Sequence, residues 1–218
     1  MVDVDEAVWE VGDGPVWRRE WGAEGGHFWH ADEYGAPADV SLTSPVLQVA
    51  DDAPLVVEFD HAYSFETSQD TFWGGGVVEV KRVDEVEWSD VAMFAPGIGY
   101  GGVVSNASSN PLGDRPAYVG ESAGYPARAG ESLDLGMAFA GQQIQLRFRV
   151  GSDEAVAAPG WDVDNVHVEG IVGLPFRAYV DEIEVCASDT TGGETTSGTT
   201  TQPATSTPPR SQSFMGAV

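Results

Sequence analysis

The 218-residue sequence predicts an all-β protein, an antiparallel β-sandwich of the jelly-roll kind, with a disordered carboxyl-terminal tail. Three observations lead there. Runs with apolar residues at alternate positions recur along the chain, the period of a half-buried antiparallel strand. Loops rich in Gly, Pro, Asn and Asp separate those runs. No segment longer than ten residues has helical periodicity.

Taken in order, residues 8–11, 15–21 and 39–49 are the first strand candidates. Residues 54–63, PLVVEFDHAY, put Leu55, Val57 and Phe59 on one face and Glu58 and Asp60 on the other. Candidates at 76–82 and 86–92 follow, and then a glycine-rich loop from 95 to 130. Residues 142–151, QQIQLRFRVG, alternate most cleanly: Ile144, Leu146, Phe148 and Val150 face inward, and Gln145, Arg147 and Arg149 outward. Candidates at 164–171 and 177–185 complete a domain of residues 1–187. Residues 188–218 are nearly all Thr, Ser, Gly and Pro, too poor in apolar surface to offset the entropy of ordering.

Charge narrows the partners. Thirty-five acidic residues against ten basic ones give a net charge of −25, which repels phosphate. Nucleic acid and anionic membranes are therefore excluded as partners, whereas cations suit such a surface. Cys186, the sole cysteine, rules out an internal disulfide and any multi-cysteine zinc site. The amino terminus, MVDVDEAVWEV, lacks the basic and apolar regions of a secretory signal. The longest uncharged run, Val91 to Gly113, is broken by Gly, Pro, Ser and Asn, so it is a loop rather than a membrane span. With the Thr-rich linker, this leads to the expectation of one piece of a longer exported chain, located outside the cell or at its surface.

Several stretches together resemble a known family. They are FWHADEYGAPADVSLTSPVL (28–47), VVEFDHAYSFET (56–67), GGGVVEV (74–80), EWSDV (87–91), QIQLRFRVGSD (143–153), PGWDVDNVHVEGI (159–171) and LPF (174–176). They look like the MAM-like, galactose-binding-like jelly-roll module of bacterial secreted metallopeptidases of the immune inhibitor A and fungalysin types. Two departures stand out: KRVDEVEW lacks the family's glycine pair, and Asn165 replaces the second of two aspartates. The resemblance implies a non-catalytic accessory domain, partnered with other domains of its parent. It also implies a structural calcium ion in many cases and carbohydrate or protein binding in some.

The candidate sites start from a broken alternation. In PGWDVDNVHVEG, Trp161 and Val163 are apolar at odd positions, but Val166 and Val168 at even ones. A strand starting at Asp164 would turn that carboxylate toward the core. There it needs a cation, an arginine or backbone N–H groups. Calcium gathers six to eight oxygens from several loops. Asp153, Asp162, Glu66 and Asp70 are the carboxylates that could join Asp164 around such an ion. Trp161, after a Pro-Gly turn, is expected to lid one end of the sandwich; with Trp29 and Trp73 it is also the candidate sugar-stacking platform.

Other constellations are weaker. The run His27-Phe28-Trp29-His30-Ala31-Asp32-Glu33 has two histidines and two carboxylates but not HExxH spacing, so aromatics at a sandwich edge are expected there. His167 is expected at the surface, and His61 is isolated. Glu58, Asp60 and Glu79 permit a jelly-roll glycoside hydrolase, but a solvated acidic face explains them better. There is no G-x-S-x-G, and Asn106-Ala107-Ser108 is a sequon of the sort that arises by chance. The sequence thus leads to a non-catalytic accessory module with a structural calcium. The alternatives are a carbohydrate-binding module and, behind it, a glycoside hydrolase.

Overall fold

The computed structural model describes residues 9–12, 17–22, 26–154 and 156–173. The chain divides into two units, Met1–Val180 and Asp181–Val218, and every described residue belongs to the first. The expected strand 177–185, Cys186 and the tail 188–218 lie outside the described residues.

Among the described residues the regular structure is all strand apart from one 3-10 turn at Val91–Met93. In chain order the strands are β1 (Glu10–Val11), β2 (Trp17–Trp21), β3 (His27–Glu33), β4 (Ala38–Thr43) and β5 (Leu47–Gln48). There follow β6 (Leu55–Ser64), β7 (Thr67–Ser68), β8 (Thr71–Phe72), β9 (Gly75–Arg82) and β10 (Ser89–Asp90). The last are β11 (Gly102–Val103), β12 (Pro116–Ala117), β13 (Ala129–Gly136), β14 (Gln143–Ser152) and β15 (Ala158–Glu169). One sheet runs β1-β4-β14-β9-β10, with β5 also paired to β14; the other runs β13-β6-β15-β3-β2. Consecutive strands change from one of these sheets to the other at β1–β2, β3–β4, β5–β6, β13–β14 and β14–β15, with antiparallel ladders throughout both sheets. This is the expected all-β antiparallel sandwich.

The two inner faces meet as the alternation requires. Leu55, Val57 and Phe59 of β6 pack with Ile144, Leu146, Phe148 and Val150 of β14, all at most 2% exposed. Trp161 fills the middle of this core and is fully buried, with ring centroids of Tyr118 at 5.4 Å, Phe148 at 5.6 Å and Trp17 at 6.0 Å. Its indole N–H donates to Nδ1 of the buried His61 at 3.3 Å. The expectation that Trp161 lids the sandwich, or offers a sugar platform, is therefore corrected: the ring is a centrepiece of the core. Gly76 explains how so large a side chain fits, because a Cβ there would lie 2.5 Å from the indole.

Two sequence expectations shift for local reasons. The strand expected over 39–49 breaks at Ser44-Pro45, where Ser44 Oγ takes the N–H of Leu146 at 2.9 Å and proline has none to give. The loop of 95–130 is a layer in its own right. Its β11–β12 hairpin buries Val104, Leu112, Ala117 and Val119 against Val77, on the outer face of the first sheet. Asn110 ties that layer down by donating to the carbonyls of Trp73 at 2.6 Å and Gly151 at 2.9 Å.

The broken alternation of PGWDVDNVHVEG is a β-bulge. Asp164 pairs with Asp60 and His167 with Glu58, so two residues of β15 span the place of one on β6. Asn165 takes the extra step at φ +49°, a left-handed conformation that Asn tolerates better than most side chains. Trp161 and Val163 thus face inward before the bulge, and Val166 and Val168 pack on the core after it. Asp164 falls on the outer face, correcting the expectation that it lies beneath the sandwich roof.

Candidate metal centre

At one end of the sandwich the strands β3, β6 and β14 finish, and β4, β9 and β15 begin. Inward-pointing positions there would ordinarily be apolar. Instead, alternation along β3 continues from the buried Ala31 to Glu33, which is 1% exposed. Its Oε2 accepts the backbone N–H of Glu66 at 2.6 Å, while its buried Oε1 has no partner. Gly74 makes the space for this carboxylate: a Cβ there would lie 1.6 Å from Oε1.

Two further carboxylates bear on Glu33. Glu66 follows the end of β6, and its Oε2 accepts the N–H of Val156 at 3.2 Å. Asp153, directly after β14, is 4% exposed. Burial above all, and then the charges of Glu66 and Asp153 against the one backbone hydrogen bond, push the Glu33 carboxyl up to about 8. Burial thus favours the protonated form of this group, a carboxyl with one unpartnered oxygen inside the protein.

Carboxylates from three chain segments are the donor type that calcium takes. The ion takes carboxylate and carbonyl oxygens at 2.3–2.6 Å from several chain segments, so ligands on opposite sides stand roughly 5 Å apart. Glu33, Glu66 and Asp153 are not a group whose ligand atoms all lie within 4.8 Å of one another. An ion here would give Glu33 Oε1 its missing partner and neutralise charges that otherwise repel. When bound, calcium would supply electrostatic cross-linking of three chain segments and no covalent chemistry.

Of the five carboxylates that the sequence offered as ligands, Glu66 and Asp153 stand beside Glu33, which the sequence did not single out, and the other three lie elsewhere. Asp162 and Asp164 stand on the outer face of the second sheet, half-buried, 3.7 Å and 3.5 Å from the guanidinium of Arg128. Asp164 also accepts the N–H of Asn165 at 2.8 Å. Arginine and backbone, two of the partners foreseen for Asp164, are thus its neighbours. Asp70 (φ +66°), with Gln69 (φ +50°), makes the two-residue turn of the β7–β8 hairpin and is exposed. That turn requires positive φ at both positions.

The remaining candidates fall into place. Trp29 and Trp73 are half-buried, Trp73 donating to Ser68 Oγ at 2.9 Å, so no platform assembles from them with the buried Trp161. His30 lies between two carboxylates, Nδ1 2.6 Å from Asp162 and Nε2 3.1 Å from Asp32. Burial opposes its charge, yet hydrogen bonds to Asp162 and Asp32 outweigh that and raise its pKa. Asp32 is paired in turn with Arg18. Glu79 is nearly buried beneath Arg115, Arg147 and Arg149, at 2.6, 2.5 and 3.4 Å. Burial resists its ionisation, but those arginines win and hold its pKa low. Glu79 faces out from the first sheet and Glu58 and Asp60 from the second, so these carboxylates do not form the facing pair that glycoside hydrolysis needs.

No family model matches the sequence, and no curated protein matches it. Among solved structures the chain is similar to the K1 cleaved adhesin domain of Lys-gingipain from Porphyromonas gingivalis (13% identity, TM-score 0.41, 74% of this chain and 90% of that one). It is also similar to the C-terminal CBM6 of LamC, a marine laminarinase from Zobellia galactanivorans (11%, TM-score 0.35, 75% and 93%). A third is the glycoside hydrolase domain of Endo-D from Streptococcus pneumoniae (14%, TM-score 0.40, 73%), of which this chain spans 21%. With TM-scores below 0.5 none of these bears on function. Among the described residues no helix is long and apolar enough to cross a membrane.

Proposed function

We propose that this chain is a non-catalytic accessory module of an exported multidomain protein, locked at one end by a calcium ion held by Glu33, Glu66 and Asp153. The observation that carries the ion is the orphaned Oε1 of Glu33, 1% exposed and accompanied by two further carboxylates. Support for a binding rather than a catalytic role comes from the carboxylates themselves. Glu79 is held ionised by three arginines, unlike a general acid, and Glu58 and Asp60 face away from it. The likeness of the sequence stretches to the MAM-like module suggests a metallopeptidase as parent and the cell exterior as location. Its partners would then be other domains of that parent and a carbohydrate or protein surface.

Calorimetric titration of calcium into the full chain tests the ion assignment. Binding at one site per chain is expected. It should be lost in Glu33→Gln, strongly weakened in Asp153→Asn and unchanged in Asp164→Asn. Equal calcium binding by wild type and Glu33→Gln would refute it.

A further inference from the structure

The bulge in β15 has a second effect. By adding one residue at Asn165, it brings His167 directly opposite Glu58 on the outer face of the second sheet, with Glu169 two residues along on the same face. Among the described residues, these three form the one group of His, Cys, Asp and Glu whose ligand atoms all lie within 4.8 Å of one another. His167 Nε2 is 3.6 Å from a Glu169 carboxylate oxygen. All three side chains are exposed, with 63% of His167 and 61% of Glu169 open to solvent. Among the described residues no arginine or lysine pairs with any of them, although Arg128 pairs with both Asp162 and Asp164 nearby on β15.

We propose that Glu58, His167 and Glu169 form a surface site for a divalent transition ion, zinc being the ion the donors suit best. The two carboxylate oxygens are hard donors that zinc also accepts, and the imidazole nitrogen is a borderline one. The imidazole favours zinc over calcium, which prefers an all-oxygen shell. Three protein ligands leave the fourth tetrahedral position to water, as the exposure of the cluster requires. The site is pre-aligned by the strand register, because cross-strand partners on one face hold their Cβ atoms about 5 Å apart. His30 shows what such a site is not. Its two nitrogens are spent on different carboxylates, at 2.6 and 3.1 Å, on opposite edges of the ring, so they cannot converge on one ion.

Zinc chloride titrated calorimetrically into the full chain, with calcium present in excess, tests this. One zinc per chain is expected. His167→Ala should abolish it, and Glu58→Gln and Glu169→Gln should each weaken it on the order of tenfold, the scale on which even an outer-shell partner acts. Glu33→Gln should leave it unchanged, which separates this site from the calcium site. Because the three ligands are exposed, these variants leave the core intact. The proposal is overturned by absence of zinc uptake in wild type. It is equally overturned by uptake that survives His167→Ala, or that disappears instead in Cys186→Ser.

Discussion

Glu33 and His61 are both buried ionisable groups, and they drive stability in opposite directions with pH. Burial chiefly, opposed slightly by the charge of Asp60, depresses the His61 pKa to about 4 from 6.5. The imidazole is therefore neutral in the fold while the unfolded chain protonates it first. Its contribution is complete above pH 6.5 and is lost as pH falls through 4. Urea denaturation between those limits should show stability falling by up to about 1.4 kcal/mol per pH unit from this one proton. His61→Gln should remove that part of the slope, and an unchanged slope would contradict the assignment. For Glu33 the folded pKa of about 8 exceeds the ordinary 4.5, so the ion-free fold loses stability as pH rises between those values. In chelator at pH 7, Glu33→Gln should therefore be more stable than wild type, on the order of a few kcal/mol, because the amide carries no ionisation to suppress. Lower stability of that variant in chelator would show that Glu33 is satisfied without an ion.

At the scale of elements, the strands with clean alternation, β6 and β14, were legible from sequence to within a residue or so at each end. Those interrupted by polar residues were not. β13, AGESLDLG, reads as loop because glycine, serine and acidic residues dominate it, yet Leu133 and Leu135 enter the core. β3 carries Glu33 at an inward position, the charge in apolar phase that Asp164 was expected to be; at Asp164 the apparent phase is produced by the bulge. Such an extra residue shows in sequence only as a change of parity, which a strand start explains equally well. The left-handed step at Asn165 makes the bulge testable, since its side chain also donates to Asp60 at 2.8 Å. Asn165→Gly should cost little. Asn165→Val should cost about 1–2 kcal/mol or more in urea denaturation, the price of a β-branched residue at positive φ. Equal stability of the two variants would place the bulge elsewhere.

For the whole molecule, a chain of net charge −25 must fold against its own repulsion. Arginines answer this locally, at Glu79 and around Asp162 and Asp164. At the end where β3, β6 and β14 finish, no arginine or lysine pairs with Glu33 or Glu66 among the described residues. A cation binding only the folded state would raise stability there by mass action, about 2.7 kcal/mol at a concentration one hundred times its dissociation constant. Thermal unfolding of the full chain at pH 7, in excess calcium and again in excess chelator, tests this most directly. A midpoint several degrees higher with calcium is the predicted result. Superimposable transitions in the two buffers would mean that the acid lining this end of the sandwich holds no ion.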